Sequence, residues 1–204
     1  SSDDNKIQSP QFFKQYRNKI QSISRSLSKK TKGSNNRRKA RLELARLHKK
    51  ITNKRNNYHW ELAHKLCQEY DEVYFETLNL SGMKRLYGRK ISDLGFSDFM
   101  FILEYCCKKY DTKFVKINQW EATSKTCHVC FYVNQELKLE NRNWVCPICK
   151  TVHDRDINAA KNILRVGTST LMGEEVSPGV KSGHSSYHKS LKRDLCVTVE
   201  SHDL

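Results

Sequence analysis

Eight cysteines occur in the 204-residue chain, and four of them form two Cys-x-x-C pairs. The pairs are Cys127/Cys130 and Cys146/Cys149, with 15 residues between Cys130 and Cys146. Each pair presents two sulfurs to one side of an ion, and the second pair completes the tetrahedral shell that Zn²⁺ prefers. Because four thiolates leave no open position, the pattern predicts one structural Zn²⁺ site. The alternative is a set of ordinary buried thiols or disulfides.

Three carboxylates could hold a second kind of metal. Asp154 and Asp156 stand at the start of a predicted helix, where an acid caps free backbone N–H groups, and we expect one of them to do this. Glu76 lies in an apolar run, where its charge is costly without a partner. A helix-start Asp beside Glu76 would bind Mg²⁺ or Mn²⁺ and support phosphodiester cleavage. Alternatively, Glu76 points to solvent, and the spacing does not decide between these readings.

Positive charge is concentrated in one segment. The formal net charge is +15, and residues 14–65 contain 17 Lys and Arg against two acids, which accounts for all of it. A solvated helix face usually mixes signs, so this segment predicts binding to the nucleic-acid backbone. Contact of a basic arm with another protein is the alternative. The candidate phosphate-binding residues are Arg37, Arg38, Lys39, Arg41, Lys49, Lys50, Lys54 and Arg55.

The basic segment also carries two helical patterns, which predict a long helical hairpin over residues 11–69. In the first pattern, apolar residues recur every three or four positions from Phe13 to Leu27. Gly33 is a stop signal, and Ser34 is a suitable cap for a second, longer helix. Two such helices joined by a short loop form an antiparallel pair.

Strand patterns follow the hairpin. Val73–Leu78 and Phe114–Ile117 predict two strands with a helix between them, an order typical of α/β folds. Residues 83–90 resemble a basic loop, and Ser92 or Asp93 is the expected cap of the helix after it.

The chain is expected to close with a helix and a tail. The pattern from Asp154 to Val166 predicts the last helix. After it, the composition predicts a flexible tail over residues 168–204.

Cysteine usage and hydropathy bound the location of the protein. Cys67, Cys106, Cys107 and Cys196 are scattered, as is typical of free thiols in a reducing compartment. No run of 18 apolar residues occurs, so we expect no membrane-spanning segment. We therefore expect a cytoplasmic, nucleoid-associated protein, or a nuclear one if the source has a nucleus. The chain starts without Met, and we expect further residues upstream.

Several motifs in this order resemble the TnpB/OrfB family of transposon-encoded, transposase-annotated proteins, which are related to the CRISPR type V effectors. The resemblance spans residues 1 to about 170. Its motifs are Tyr74-Phe75-Glu76-Thr77-Leu78-Asn79-Leu80-Ser81-Gly82-Met83, Ser124-Lys125-Thr126-Cys127-x-x-Cys130, Trp144-x-Cys146-Pro147-x-Cys149 and His153-Asp154-Arg155-Asp156-Ile157-Asn158-Ala159-Ala160-Lys161-Asn162. The last of these is the most specific.

The resemblance implies an RNase H-like (RuvC-type) nuclease domain, present here in part, with a long basic helical hairpin and an inserted four-cysteine zinc ribbon. The corresponding domains are a partial RuvC-like domain over 1–118, a zinc ribbon over 119–152 and a closing helix over 153–167. Family members are RNA-guided DNA endonucleases, so the implied partners are DNA and a guide RNA from the transposon end. The implied catalytic acids are Glu76 and Asp156, with Mg²⁺ or Mn²⁺ as cofactor and Asp154 as a neighbour.

The chain also departs from the family pattern. The first acid of the family's triad lies on a strand just upstream of Ser1, and Asp3 and Asp4 match the turn after that strand. Lys150 follows the second cysteine pair where Gly is common. Ala122 and Thr123 stand where Pro-Ser is common in the family. We therefore expect weak cleavage or none from this chain. The alternative function is a non-catalytic zinc-ribbon regulator that binds nucleic acid, and the oligomeric state stays open.

Overall fold

The computed structural model describes residues 2–4, 7–118, 120–138, 140–171 and 193–197. It mixes helices and strands as predicted. The elements in chain order are α1 (Phe12–Ser28), α2 (Asn35–Glu69), β1 (Tyr70–Glu76), α3 (Leu80–Leu94), α4 (Phe96–Tyr110), β2 (Lys113–Ile117), β3 (Asn143–Val145), β4 (Val152–Asp154), α5 (Arg155–Leu171) and β5 (Arg193–Val197). No helix of the described part is long and apolar enough to cross a membrane.

The chain divides into two compact units. The first comprises residues 1–7, 66–79 and 106–204, and the second comprises residues 8–65 and 80–105. The segment 1–118, expected to be one domain, contributes to both units. Each unit is described separately below.

The first unit contains a parallel sheet with strand order β2-β1-β5. The central strand β1 places Glu76 opposite Ile117 of β2, at the carboxyl end of both strands. Helix α5 covers the sheet, and Ala160 and Ile163 pack against Tyr74 in a core without exposed members. Gly167 belongs to the same contact, because a Cβ at this position would overlap the Tyr74 ring.

Two expectations for the end of the chain need correction. Helix α5 continues to Leu171, four residues beyond the expected helix, and residues 193–197 form β5 within the segment expected to be a flexible tail. Strand β5 pairs in parallel with β1, with Cys196 opposite Tyr74. Backbone pairing with β1 therefore defines this strand, which at five residues is too short to give a periodic signal of its own. Residues 172–192 and 198–204 of the expected tail lie outside the described residues.

The cysteine-rich segment of the first unit is built on a short antiparallel hairpin. Strands β3 and β4 pair with Trp144 opposite His153. Buried Trp144 and Leu137 pack against Cys127 and Cys146 in a small core. Few apolar side chains are available here, so the segment depends on its cysteines for stability.

The second unit contains the predicted hairpin, formed by α1 and α2. Ile23, Leu47 and Ile51 make its buried seam. Gly33 adopts a left-handed conformation (φ 85°) in the turn, and Ser34 caps α2 by accepting the Arg37 backbone N–H at 3.2 Å. Both turn predictions are confirmed.

Residues 83–90 are not a loop but part of helix α3. The predicted caps also differ: Asp93 lies within α3, and its carboxylate accepts the backbone N–H groups of Phe13 and Lys14 at 2.8 and 3.2 Å. Asp93 thus caps α1 rather than α4, which starts after the left-handed Gly95 (φ 59°).

Candidate functional site

The four predicted zinc ligands come together in the first unit. Their sulfur atoms all lie within 4.8 Å of one another. The Sγ–Sγ distance is 3.6 Å for Cys127 and Cys149 and 3.5 Å for Cys130 and Cys146. Tetrahedral Zn–S bonds of about 2.3 Å require sulfur separations of about 3.8 Å. The donor set and its spacing therefore fit one Zn²⁺ ion.

Backbone hydrogen bonds shape both Cys-x-x-C turns in the same way. The N–H of Cys127 donates to Tyr132 O at 2.8 Å, and the N–H of Cys146 donates to Thr151 O at 2.9 Å. The residue after each pair is left-handed, with φ 62° for Phe131 and 61° for Lys150. The departure at Lys150 thus falls where Gly is the least strained residue.

The surroundings of the four cysteines favour the thiolate form unequally. Burial raises the pKa of the Cys127 thiol to about 12. The Thr151 hydroxyl lies 3.2 Å from Cys149 Sγ, and this hydrogen bond lowers the pKa of the Cys149 thiol to about 6. His153 Nε2 lies 3.1 Å from Cys127 Sγ and is a suitable donor to a metal-bound thiolate.

The two aspartates at the start of α5 have different roles. Asp154 Oδ1 accepts the backbone N–H groups of Asp156 and Ile157 at 3.0 and 3.1 Å, so Asp154 caps the helix. The Asp156 carboxylate is partly buried and lies 3.3 Å from the Arg155 guanidinium. The expectation that one of the two acids is a cap is confirmed for Asp154.

Glu76 ends β1 in a partly buried position. Burial raises the pKa of its carboxyl above the ordinary value, and a hydrogen bond from the Thr123 side chain partly opposes this shift. Thr123 connects Glu76 to α5, since its carbonyl accepts Nδ2 of Asn158 at 3.4 Å and Nδ2 of Asn162 at 2.9 Å. A single buried residue, Thr123, therefore links Glu76 to α5, the helix whose first turn contains Asp156.

Sequence reasoning assigned no role to Thr123, Asn158 or Asn162. Both asparagines are 1% exposed, and they lie one helical turn apart. A signal existed, because they interrupt the apolar stripe of α5 on its buried side, and buried amides need partners.

The eight candidate phosphate-binding residues of the second unit fall into two groups. Two of them bind the protein itself: Arg37 Nη1 donates to Leu27 O and Lys30 O at 2.9 and 3.0 Å, and Arg55 Nη1 donates to Ser92 O at 3.0 Å. The others are exposed: Arg38, Lys39, Arg41, Lys49, Lys50 and Lys54.

Two of the exposed lysines border an aromatic ring. The Nζ atoms of Lys50 and Lys54 lie 5.8 and 5.5 Å from the centre of the Tyr16 ring. The six exposed cations face solvent, whereas Arg37 and Arg55 hydrogen-bond backbone carbonyls of their own unit.

Comparison with known proteins places two family models on the chain. A model described as "Probable transposase" (OrfB_IS605) matches residues 1–87. A second, described as "Cas12f1-like, TNB domain", matches residues 96–163. Together they cover β1, the cysteine cluster and the start of α5.

Relatives extend over more of the chain. A protein of Streptomyces pristinaespiralis named "Putative RNA-guided DNA endonuclease" is 35% identical over 92% of this chain and 48% of its own length. "TnpB-like protein L79" of Acanthamoeba polyphaga mimivirus is 33% identical over 65% of this chain and 27% of its own length. The chain thus spans about half the length, or less, of the curated relatives it matches.

A solved structure shares the fold. One chain of a cryo-EM structure of the Cas12f1–sgRNA–target DNA complex matches with a TM-score of 0.52 and 22% identity, covering 74% of this chain and 41% of that one. The family models, the relatives and the shared fold agree with the motifs of the sequence, and the chain belongs to the TnpB/OrfB family.

Proposed function

We propose that this chain forms the metal- and nucleic-acid-binding part of an RNA-guided DNA endonuclease with an RNase H-like (RuvC-type) domain. Glu76 and Asp156 contribute two of the acids that hold Mg²⁺ or Mn²⁺, and the four cysteines hold a structural Zn²⁺. The observation that carries this proposal is Thr123, which hydrogen-bonds Glu76 and also Asn158, two residues after Asp156. A divalent ion bound to the two carboxylates would activate water and stabilise the leaving oxygen.

The proposed partners are DNA and a guide RNA. The exposed cations of the hairpin suit a phosphate backbone, which they would neutralise without reading its sequence. Relatives are named RNA-guided DNA endonucleases, and the Cas12f1 structure contains an sgRNA and target DNA. These partners would place the protein at the nucleoid.

We further propose that the 204-residue chain by itself binds nucleic acid but cleaves weakly or not at all. The resemblance implies a third acid, and no residue of this chain matches its position. The residues present would hold the metal by two carboxylates, and their repulsion raises the cost of an incomplete site.

Manganese binding tests the acid assignment without requiring cleavage. We expect the purified chain to bind Mn²⁺ at one site, as measured by electron paramagnetic resonance. Glu76→Gln and Asp156→Asn should each abolish this binding. Glu72→Gln is the matched control, because Glu72 lies on the same strand and pairs with Lys113 at 3.4 Å. Mn²⁺ binding that survives both substitutions would sink the assignment.

The alternative, a non-catalytic nucleic-acid-binding regulator, differs from the endonuclease proposal in cleavage but not in binding. Replacement of Lys49, Lys50 and Lys54 by Gln should weaken DNA and RNA binding and reduce its salt dependence under both proposals. The endonuclease proposal alone predicts Mg²⁺-dependent cleavage that Glu76→Ala abolishes once the missing acid is supplied by a longer chain. Robust cleavage by the 204-residue chain would overturn its proposed inactivity.

A further inference from the structure

The buried asparagines of α5 connect the cysteine cluster to the acids. Asn158 and Asn162 lie on one face of the helix, one turn apart, and both are 1% exposed. The segment opposite them, residues 123–128, contains the first zinc ligand, Cys127. A buried amide without partners is costly, so the contacts of these side chains report how firmly the two segments are joined.

Both side-chain amides hydrogen-bond to the same turn. Asn158 Nδ2 donates to Thr126 O at 2.7 Å, and Asn162 Nδ2 donates to Thr126 O at 2.6 Å and to Thr123 O at 2.9 Å. Asn158 Oδ1 accepts the backbone N–H of His128 and its Nδ1–H, both at 3.0 Å. The residues on either side of Cys127 are therefore both bonded to Asn158.

The contact of Asn162 with this turn depends on its side-chain NH₂ donor rather than on the size of its side chain. Asn162 Oδ1 is buried and has no hydrogen-bond partner within the part of the chain that the structure describes. The amide of Asn162 is thus held through its NH₂ group, which an aspartate of nearly equal size would lack.

The same turn reaches the acids. Thr123 hydrogen-bonds Glu76, and Asn158 lies two residues after Asp156 on α5. We propose that Asn158 and Asn162 are positioning residues that couple metal binding by the four cysteines to the order of the α5 start and of Glu76. The part of this inference that concerns the acids rests on the proposed function; the coupling of the ribbon to α5 does not.

Coupling of this kind is reciprocal. If metal binding strengthens the hydrogen bonds between the turn at 123–128 and α5, those hydrogen bonds must strengthen metal binding by an equal factor. Loss of the hydrogen bonds then weakens metal binding by that factor. Partners around metal ligands typically change metal affinity by about 10- to 100-fold when they are removed.

Hydrogen exchange of the full chain tests the coupling. With Zn²⁺ bound, we expect the amides of residues 155–163 and 74–76 to exchange slowly, and chelation to make them exchange faster. Asn158→Asp and Asn162→Asp should exchange like the chelated protein even at saturating Zn²⁺. Their Zn²⁺ affinity, measured by competition with a chelator, should fall by about 10- to 100-fold.

Two control variants separate coupling from general instability. Ile163→Val weakens the core contact of α5 with Tyr74 without touching the turn, so its exchange should still respond to Zn²⁺. Asn162→Ser retains one donor and should give an intermediate response, which keeps the test informative if an aspartate variant does not fold.

The proposal is overturned if chelation leaves exchange at 155–163 unchanged, or if the aspartate variants keep both full Zn²⁺ affinity and slow exchange. Failure of the proposed function is a separate result. Absence of the Mn²⁺ site with a normal exchange response removes the acid assignment and leaves the coupling standing.

Discussion

The two Cys-x-x-C turns of the ribbon share a sequence pattern and differ in their surroundings. We call Cys127–Cys130 the first knuckle and Cys146–Cys149 the second knuckle. Each begins with a fully buried cysteine, and each is followed by a left-handed residue. The second position separates them: His128 bonds to Asn158 at 3.0 Å, whereas Pro147 is exposed.

Apolar side chains are exposed near both knuckles, and Val129 of the first knuckle is 50% exposed. Val145 and Val152, which flank the second knuckle on β3 and β4, are 54% and 71% exposed. The first knuckle is joined to α5. The local pattern thus shapes both knuckles alike, while hydrogen bonds to Asn158 link the first knuckle to α5.

The largest predicted difference between the knuckles concerns thiol reactivity in the metal-free protein. With pKa values of about 6 for Cys149 and about 12 for Cys127, we expect Cys149 to be mainly a thiolate at pH 7 and Cys127 to be mainly a thiol. Allowing for the lower nucleophilicity of the more acidic thiol, we expect Cys149 to be alkylated by iodoacetamide roughly 100-fold faster at pH 7.

Mass spectrometry of alkylated peptides measures this ratio. The rate at Cys149 should rise as pH increases through about 6, where the thiolate forms. Thr151→Val removes the hydroxyl that lowers this pKa and should move the rise to higher pH. Equal rates at Cys127 and Cys149 would mean that both knuckles open when the metal leaves, which would erase the difference.

At the metal itself the knuckles should be equivalent. Cys127→Ser and Cys146→Ser each remove one of four ligands from a site whose binding free energy is on the order of 10–16 kcal/mol, so each should weaken Zn²⁺ binding at least about 100-fold. Metal analysis of the unaltered chain should give one Zn²⁺. A much smaller loss for one variant would show that its knuckle does not complete the site.

Substitution of the second residue of each knuckle, His128 or Pro147, should lower the free energy of unfolding by different amounts. His128→Ala breaks a partly buried hydrogen bond to Asn158 and a ring contact with His153, and we expect a loss of about 1–2 kcal/mol in the free energy of unfolding. Pro147→Ala, at the equivalent exposed position, should cost less than about 0.5 kcal/mol. Denaturant titration with Zn²⁺ present compares the two, and similar losses would argue against an anchoring role for the first knuckle.

The smallest predicted effect concerns the left-handed residues after each knuckle. Lys150→Gly relieves backbone strain and should stabilise the protein by about 0.5–1 kcal/mol. Phe131→Gly relieves similar strain but removes the ring that lies 4.5 Å from the Arg165 guanidinium, so no gain is expected. Thermal unfolding of both variants is sufficient, and stabilisation by Phe131→Gly alone would contradict this account.

Sequence reasoning succeeded where the determinants are local. The clustering of the four cysteines follows from their spacing, and the hairpin turn follows from Gly33 and Ser34, because both depend on residues close together in the chain. Helix α3 was missed because Gly82 and Gly88 lower its helix propensity, which tertiary packing can override.

The remaining features depend on partners that are distant in sequence. Strand β5 forms on the edge of β1, and the asparagines acquire their partners only when the turn at 123–128 meets α5. The placement of Glu76 and Asp156 beside one metal was suggested by resemblance and is still a proposal. No spacing rule brings two carboxylates together from different elements.

The cap that Asp93 supplies to α1 has a practical consequence for dissection of the protein. Phe13 and its acceptor are 80 residues apart in the chain, and during synthesis α1 emerges long before Asp93. A peptide of residues 11–69 would lack this acceptor, at a cost of about 1 kcal/mol. The basic hairpin therefore depends on α3, and a chimaera that keeps the first turn of α1 intact must include α3 as well as the hairpin.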